Sequence, residues 1–226
     1  MLPDLYDLVY CGYPGDVEFY RKHAYKKLTL YLGVGTGRIF QKIAVDNSDI
    51  IGIDSSANMK ESFDLRFPHL SNRLVKCDFS VFEAVHKYDV IIAPFSFFNQ
   101  FSKREVIRFL RKARLLLKTG GKIVTDFYSP FSNPINKISE IKNKKISGKK
   151  LEIIYLYDHV QQKLSEFVLM KSRKNVCSRL DLFTYYPNEI RELLQESGFK
   201  KIRMMGDYKS GSLTIHSKLI TVEALK

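Results

Sequence analysis

From Leu28 to Arg38 the chain reads Leu-Thr-Leu-Tyr-Leu-Gly-Val-Gly-Thr-Gly-Arg. A short apolar run gives way at once to Gly33, Gly35 and Gly37, and a helical stretch begins near Arg38. The backbone there must leave a strand, turn sharply and enter a helix, with no side chain on the inner surface of the turn. A strand, glycine turn and helix of this kind belong to an alternating α/β chain, and the first half supplies the other units. Asp16 opens a helix to about Lys27. Asp49 to Ile53 forms a second strand, with Ser55 or Ser56 capping a helix to about Phe67. Arg73 to Cys77, Tyr88 to Ala93 and Lys122 to Phe127 are three more strands. A helix from Lys103 to Lys118 is expected to stop at Gly120-Gly121. Such alternation predicts a mostly parallel sheet with right-handed crossovers.

The second half changes character. Leu151 to Tyr157, Lys163 to Lys171 and Cys177 to Tyr185 are successive β-rich runs, suited to antiparallel pairing. Pro187 and Gly198 bracket a helix, and Lys200 to Met205 and Leu219 to Ala224 complete the sheet. Residues 140–185 therefore read as an antiparallel β flap inserted into an α/β core. With no internal repeat or long linker, residues 1–226 are expected to form one domain. A chain of this length buries roughly 70% of its unfolded surface without a disulfide or metal staple.

Composition narrows the class. Sixteen Phe and 13 Tyr supply core material that a disordered chain lacks. The longest uncharged stretch, Val90 to Ser102, is too short to span a bilayer and contains Pro94, Asn99 and Gln100. Asp4 and Asp7 stand where a secretory signal would carry positive charge. Cys11, Cys77 and Cys177 are odd in number and widely spaced, which fits a reducing cytoplasm and no metal site. The formal charge of +13 raises a polyanionic partner. Against it, 25 of the 37 basic residues are Lys rather than the planar Arg fork. The densest run, Lys142 to Lys150, reads as a solvated loop. Arg104, Arg108, Arg111 and Lys112 read as the outer face of a surface helix.

The glycine spacing is GxGxG rather than the GxGxxG of dinucleotide sites, which disfavours a pyrophosphate. Asp54 ends the second strand 21 residues after Gly33, where a carboxylate accepts both hydroxyls of an adenosine ribose; helping to cap the next helix is its alternative use. Asp78 follows the third strand, placed for an adenine amino group, with Phe79 over the ring. These signals stand at the C-terminal ends of neighbouring strands, where ligands of open α/β sheets bind.

Together the motifs resemble the class I S-adenosylmethionine-dependent methyltransferases over essentially the whole chain. Gly33 to Arg38 resembles the family's first motif, Gly52 to Met59 its second, and Cys77-Asp78-Phe79 its adenine motif. Tyr88 to Phe95 resembles the strand before the active-site loop, and Gly120 to Asp126 the fifth strand. Leu5 to Tyr10, with Tyr20 beyond, is similar to the N-terminal lid of small-molecule members such as sugar-amine N-methyltransferases, as are Leu182 to Pro187 and Gly206 to Tyr208 to their distal portion. The resemblance implies a Rossmann-like sheet, mostly parallel with the last strand antiparallel, a lid over residues 1–27, and S-adenosylmethionine as cofactor. It implies cofactor contacts from Tyr20, Gly33, Gly35, Gly37, Asp54, Ser55, Met59, Asp78, Phe79 and Phe95, with Tyr20 reaching the methionyl carboxylate. Two positions depart from the pattern. Tyr31 stands where the family usually has a carboxylate, and Asn99-Gln100 where sugar-amine enzymes often have histidine. Methyl transfer needs positioning more than a catalytic triad. Tyr10, Gln100, Tyr128 and His159, with His216, are the candidate catalytic groups, and Phe95, Phe97, Phe98 and Phe101 an apolar wall. The expected substrate is a small-molecule acceptor, with no membrane partner and a homodimer left open. An RNA methyltransferase and a weakly catalytic cofactor-binding protein are the alternatives: an open basic groove would favour the first, a cavity blocked by Tyr31 the second.

Overall fold

The computed structural model describes residues 3–132, 139–146, 149–170, 177–209 and 211–226. Two short helices, α1 (Pro3–Val9) and α2 (Asp16–Ala24), precede the alternating series. That series comprises β1 (Thr29–Leu32), α3 (Phe40–Ala44), β2 (Ile50–Asp54), α4 (Ala57–Arg66), β3 (Leu74–Lys76), β4 (Tyr88–Ala93), α5 (Lys103–Leu116) and β5 (Leu117–Tyr128). Four strands follow: β6 (Ser139–Ile146), β7 (Lys149–Asp158), β8 (Lys163–Met170) and β9 (Cys177–Phe183). The chain closes with α6 (Pro187–Glu196), β10 (Lys200–Gly206) and β11 (Leu219–Leu225).

The main sheet has seven strands in the order β10-β11-β5-β4-β1-β2-β3. β11 is antiparallel to both its neighbours and the remaining pairs are parallel, as the sequence predicts. All four residues of β1 are buried, because helices cover both faces of the sheet. Side chains alternate between two cores. Leu30, Leu32 and Ile91 face α5 and α6, whereas Tyr31, Val90 and Ile92 face α2 and α3. α5 buries Val106, Phe109, Leu110 and Ala113 and leaves Arg104, Arg108 and Arg111 exposed, the pattern of an amphipathic surface helix. Strand order reverses between β1 and β4, so the loops leaving their C-terminal ends part and open a crevice.

β6 to β9 form a separate antiparallel meander between β5 and α6. Its inner row includes Leu151 and Ile153 of β7 and Val168 of β8, which pack against Leu8, Val9 and Tyr10 at the end of α1. The expected solvated lysine loop is instead mostly strand: β6 and β7 pair with Lys142 opposite Ile153 and Lys144 opposite Leu151, while residues 147–148 lie outside the described residues. β6 is one of the two edges of this sheet. Gly120 is a second correction. α5 ends at Leu116, and Gly120 (φ +77°) lies in β5 where the register with β4 slips between Tyr88 and Val90. A left-handed residue there accommodates a bulge, not a helix end.

Candidate active site

The three glycines do different work. All have left-handed backbones, with φ of +68°, +58° and +94° at Gly33, Gly35 and Gly37. A Cβ at Gly33 would lie 2.8 Å from the Phe97 ring, and one at Gly37 would lie 2.6 Å from Phe63. Gly37 is thus a packing glycine that lets the loop close onto α4. At Gly35 the nearest atom to a Cβ would be Tyr6 at 3.9 Å. Here the main chain is bare toward a cavity of about 640 Å³, within the range of about 300–1,000 Å³ for small-molecule sites.

Asp54, at the end of β2, organises the loop. Its Oδ2 accepts from Gly35 N (2.7 Å) and its Oδ1 from Ser56 N (2.8 Å). Burial raises its pKa, and these two N–H groups oppose that rise. Each carboxylate oxygen keeps capacity for a second donor. Ser56, not Ser55, caps α4 by accepting from Met59 N at 3.3 Å. Asp78 is exposed and accepts from Ser80 N at 2.7 Å; the Ser80 hydroxyl first, and then this N–H, hold its pKa low. Phe79 packs its ring 5.7 Å from that of Phe109.

From this crevice the cavity runs to a second wall made by α1 and the flap. Tyr6, Tyr10 and Tyr13 surround the Phe95 ring at centroid distances of 6.3, 5.8 and 6.1 Å. Beyond them lie Gln100, Tyr128, Tyr155 and Glu166. The hydroxyl of Tyr10 donates to Glu166 Oε1, joining α1 to β8. Burial first, then the Glu166 charge, raises the Tyr10 pKa, so the phenol keeps its proton. α1 is also fastened to the glycine loop, because Thr36 Oγ1 donates to Asp7 Oδ1 at 2.6 Å, and to α4 through an Arg66–Asp7 ion pair.

Beneath the cavity floor lies a fully buried carboxylate, Asp126 of β5. It accepts from Tyr20 Oη (2.5 Å), Tyr208 Oη (2.9 Å), Phe95 N (2.7 Å) and Ser96 N (2.5 Å). Phe95 and Ser96 both have left-handed backbones (φ +60° and +55°), unfavourable for residues bearing a Cβ. Asp126 holds that turn and thereby the Phe95 ring. Burial raises its pKa against the opposing pull of these hydrogen bonds.

The structure brings most of the sequence candidates together. Gly33, Gly35, Asp54, Ser55, Met59, Asp78, Phe79, Phe95, Gln100, Tyr10 and Tyr128 all line the cavity. Four candidates lie elsewhere. Tyr20 is fully buried with its hydroxyl engaged by Asp126, Gly37 packs against Phe63, and His159 is exposed beside Tyr157. His216 is also exposed. Asn99 is wholly buried and structural, donating to Phe183 O and accepting from Tyr128 N. Tyr31 points into the core with its ring 5.6 Å from Phe40 and does not obstruct the cavity. Sequence reasoning missed Asp126 and Glu166. Glu166 did leave a signal: it interrupts the inward apolar row Leu164, Glu166, Val168, where alternation calls for another apolar residue.

Comparison with known proteins agrees with this geometry. A family model described as a methyltransferase domain matches residues 30–121. An uncharacterized methyltransferase of Anoxybacillus flavithermus is 31% identical over 98 residues, 43% of this chain and 45% of that protein, so the match spans less than half of the relative. Among solved structures, the CcbJ methyltransferase from Streptomyces caelestis superposes with a TM-score of 0.83 at 22% identity, covering 95% of this chain and 90% of that one. An S-adenosylmethionine-dependent methyltransferase from Clostridium acetobutylicum gives 0.84 at 15% identity, over 98% and 96%. At these identities the superpositions give the fold, and residues 30–121 are similar to a methyltransferase domain. No helix among the described residues is long and apolar enough to cross a membrane.

Proposed function

We propose that this chain methylates a small-molecule acceptor, an amine or hydroxyl compound, enclosed between α1 and the flap. The observation that supports this best is the continuity of the cavity: the strand-end crevice and the aromatic chamber are one space, walled by α1 and the flap. S-adenosylmethionine, when bound, supplies a methyl group on a positively charged sulfur, already activated for in-line displacement. The residues present fit it. Gly33 and Gly35 give close backbone approach, and Asp54 retains one accepting position per oxygen for the ribose hydroxyls. In this reading Asp78 and Phe79 take the adenine, while Ser55, Met59 and Phe95 complete the wall. Tyr20 contributes through Asp126 rather than by contact. The rings of Tyr6, Tyr10, Tyr13 and Phe95 exclude water and offer π faces to positive charge. Gln100 and Tyr128 orient the acceptor by hydrogen bonds, since neither is a base at neutral pH.

The test uses S-adenosylmethionine with an isotope-labelled methyl group, incubated with the chain and a cell extract split into small-molecule and RNA fractions. Label is expected in the small-molecule fraction. Label confined to RNA would replace this reading with the nucleic-acid one.

A further inference from the structure

The strand end of the cavity is roofed by α1, a helix that cannot hold itself in place. At seven residues it is too short to be stable alone, so its position is set by what it touches. Tyr6 lies over the glycine turn, its ring atoms 3.9–4.0 Å from where a Cβ of Gly35 would stand. Leu8, Val9 and Tyr10 pack on Leu151, Ile153 and Val168 of the flap. Asp7 reaches the main body instead. Its Oδ1 accepts from Thr36 Oγ1 at 2.6 Å, and its Oδ2 pairs with Arg66 of α4. Thr36 stands between Gly35 and Gly37 and is only 2% exposed, so this bond ends inside the glycine turn itself.

The chain that joins α1 to α2 supplies a pivot. It turns through Gly12 and Gly15, both left-handed (φ +94° and +87°). Beyond them α2 is anchored: Asp16 is buried and pairs with Arg38, and Tyr20 donates to Asp126. Two glycines between an anchored helix and a seven-residue one place the hinge at residues 12–15.

In the reading above, the part of the cofactor that runs along Gly33 and Gly35 lies beneath Tyr6. It passes when Tyr6 lifts, and lifting breaks both bonds of Asp7. We propose that Asp7 is a gating residue: it latches α1 onto the glycine turn and sets the rate at which the cofactor enters and leaves. The inference rests on the cofactor assignment above and adds how the crevice opens. Asp7 does not line the cavity, and its partners are protein groups. The latch therefore costs the same to break with or without cofactor in the crevice. Weakening it raises the open fraction of both forms, so entry and exit quicken together and affinity changes little. A residue that merely held the cofactor would quicken exit alone. The Asp7 and Arg66 side chains are 30% and 37% exposed, and ion pairs so placed add little to global stability, so the effect stays local to α1.

The experiment follows S-adenosylhomocysteine on and off the immobilised full chain by surface plasmon resonance. Asp7→Ala is expected to raise both rate constants at least fivefold, with the dissociation constant within twofold of wild type and the urea midpoint unchanged. Arg66→Gln keeps the Thr36 bond and removes the pairing with Asp7 and Asp4. It is expected to raise both rate constants by a smaller factor, and it serves if Asp7→Ala misfolds. Unchanged rate constants in either variant, faster exit with unchanged entry, or faster exchange that comes with a lower urea midpoint would each overturn the latch alone. A wild-type chain that takes up no S-adenosylhomocysteine would strike the cofactor assignment, and the latch with it.

Discussion

At the strand end of the cavity, Gly33, Gly35 and Asp54 are near neighbours in the chain, and what they present is largely backbone geometry fixed by hydrogen bonds of 2.7–2.8 Å. At the flap end, Tyr10 and Glu166 meet across 156 residues of sequence, and the wall is made of side chains. In the proposed reading the first end holds the cofactor, and its turn, cap and carboxylate come from consecutive elements of the chain. The second end is assembled from α1, the β4–α5 loop and the flap, which are distant in the chain. The comparison predicts that substitutions at the strand end weaken cofactor binding, whereas those at the flap end alter acceptor choice.

Asp126 joins the two ends and should give the largest effect. Asp126→Ala removes the acceptor for two buried tyrosine hydroxyls and two main-chain N–H groups, and leaves the Phe95–Ser96 turn unsupported. Stranding buried donors of this kind costs about 3–5 kcal/mol. Urea unfolding is expected to show that loss. Asp126→Asn, which restores only part of the acceptor set, should fall between. A variant that unfolds like the wild type would show that Asp126 does not hold the turn.

Asp54→Ala comes next. Loss of two charge-assisted hydrogen bonds to a ribose costs about 1.5–3 kcal/mol each. Gly35 N and Ser56 N also lose their acceptor, so loop order declines with affinity. Calorimetry with S-adenosylhomocysteine is expected to show at least tenfold weaker binding. Thermal stability should fall by less than in Asp126→Ala, because Asp54 is only part-buried. Unchanged affinity would break the assignment of the strand end.

The same division explains what could be read from the sequence. The alternation, the glycine turn and the strand-end carboxylates are local patterns, and, apart from the early start of β5 at Leu117, the main-sheet strands start and stop within a residue or two of the expected positions. Tyr20, Gly37 and the lysine run have settings that are not local. The Tyr20 ring is drawn into the core by Asp126, 106 residues away. Gly37 is needed by Phe63 of a later helix. Lys142 and Lys144 are held in a strand by pairing with β7, and no local composition announces an edge strand. Glu166 shows only as a break in alternation, and that break gains meaning once the row is seen to border a cavity.

The smallest predicted effect sharpens the comparison through pH. In the body of the protein the side chain of His23, in the last turn of α2, reaches Lys122 and Glu223 of the sheet, its ring 4.8 Å from that of Phe19. Its Nδ1 is 2.7 Å from Lys122 Nζ and its Nε2 3.3 Å from Glu223. Burial, and then the Lys122 charge, lowers its pKa to about 4, with Lys22 and Arg203 adding to the fall and Glu223 opposing it. In the flap, Asp181 is held at about 2: burial pushes it up, but hydrogen bonds from Ser165 and Arg179 and the pairing with Lys163 prevail. Both groups have folded pKa values below their unfolded ones, so in each case the unfolded chain takes up the proton first as pH falls. His23 therefore withdraws stability between about pH 6.5 and 4, whereas Asp181 acts only from about 3.8 down to 2. Allowing for the partial exposure of the ring, the His23 contribution is on the order of 1 kcal/mol. Urea unfolding at pH 7 and pH 5 is expected to show that drop in the wild type and most of it gone in His23→Gln, with Asp181→Asn behaving as wild type over the same interval. An equal drop in His23→Gln would place the acid sensitivity elsewhere, and a loss of it in Asp181→Asn would place it in the flap.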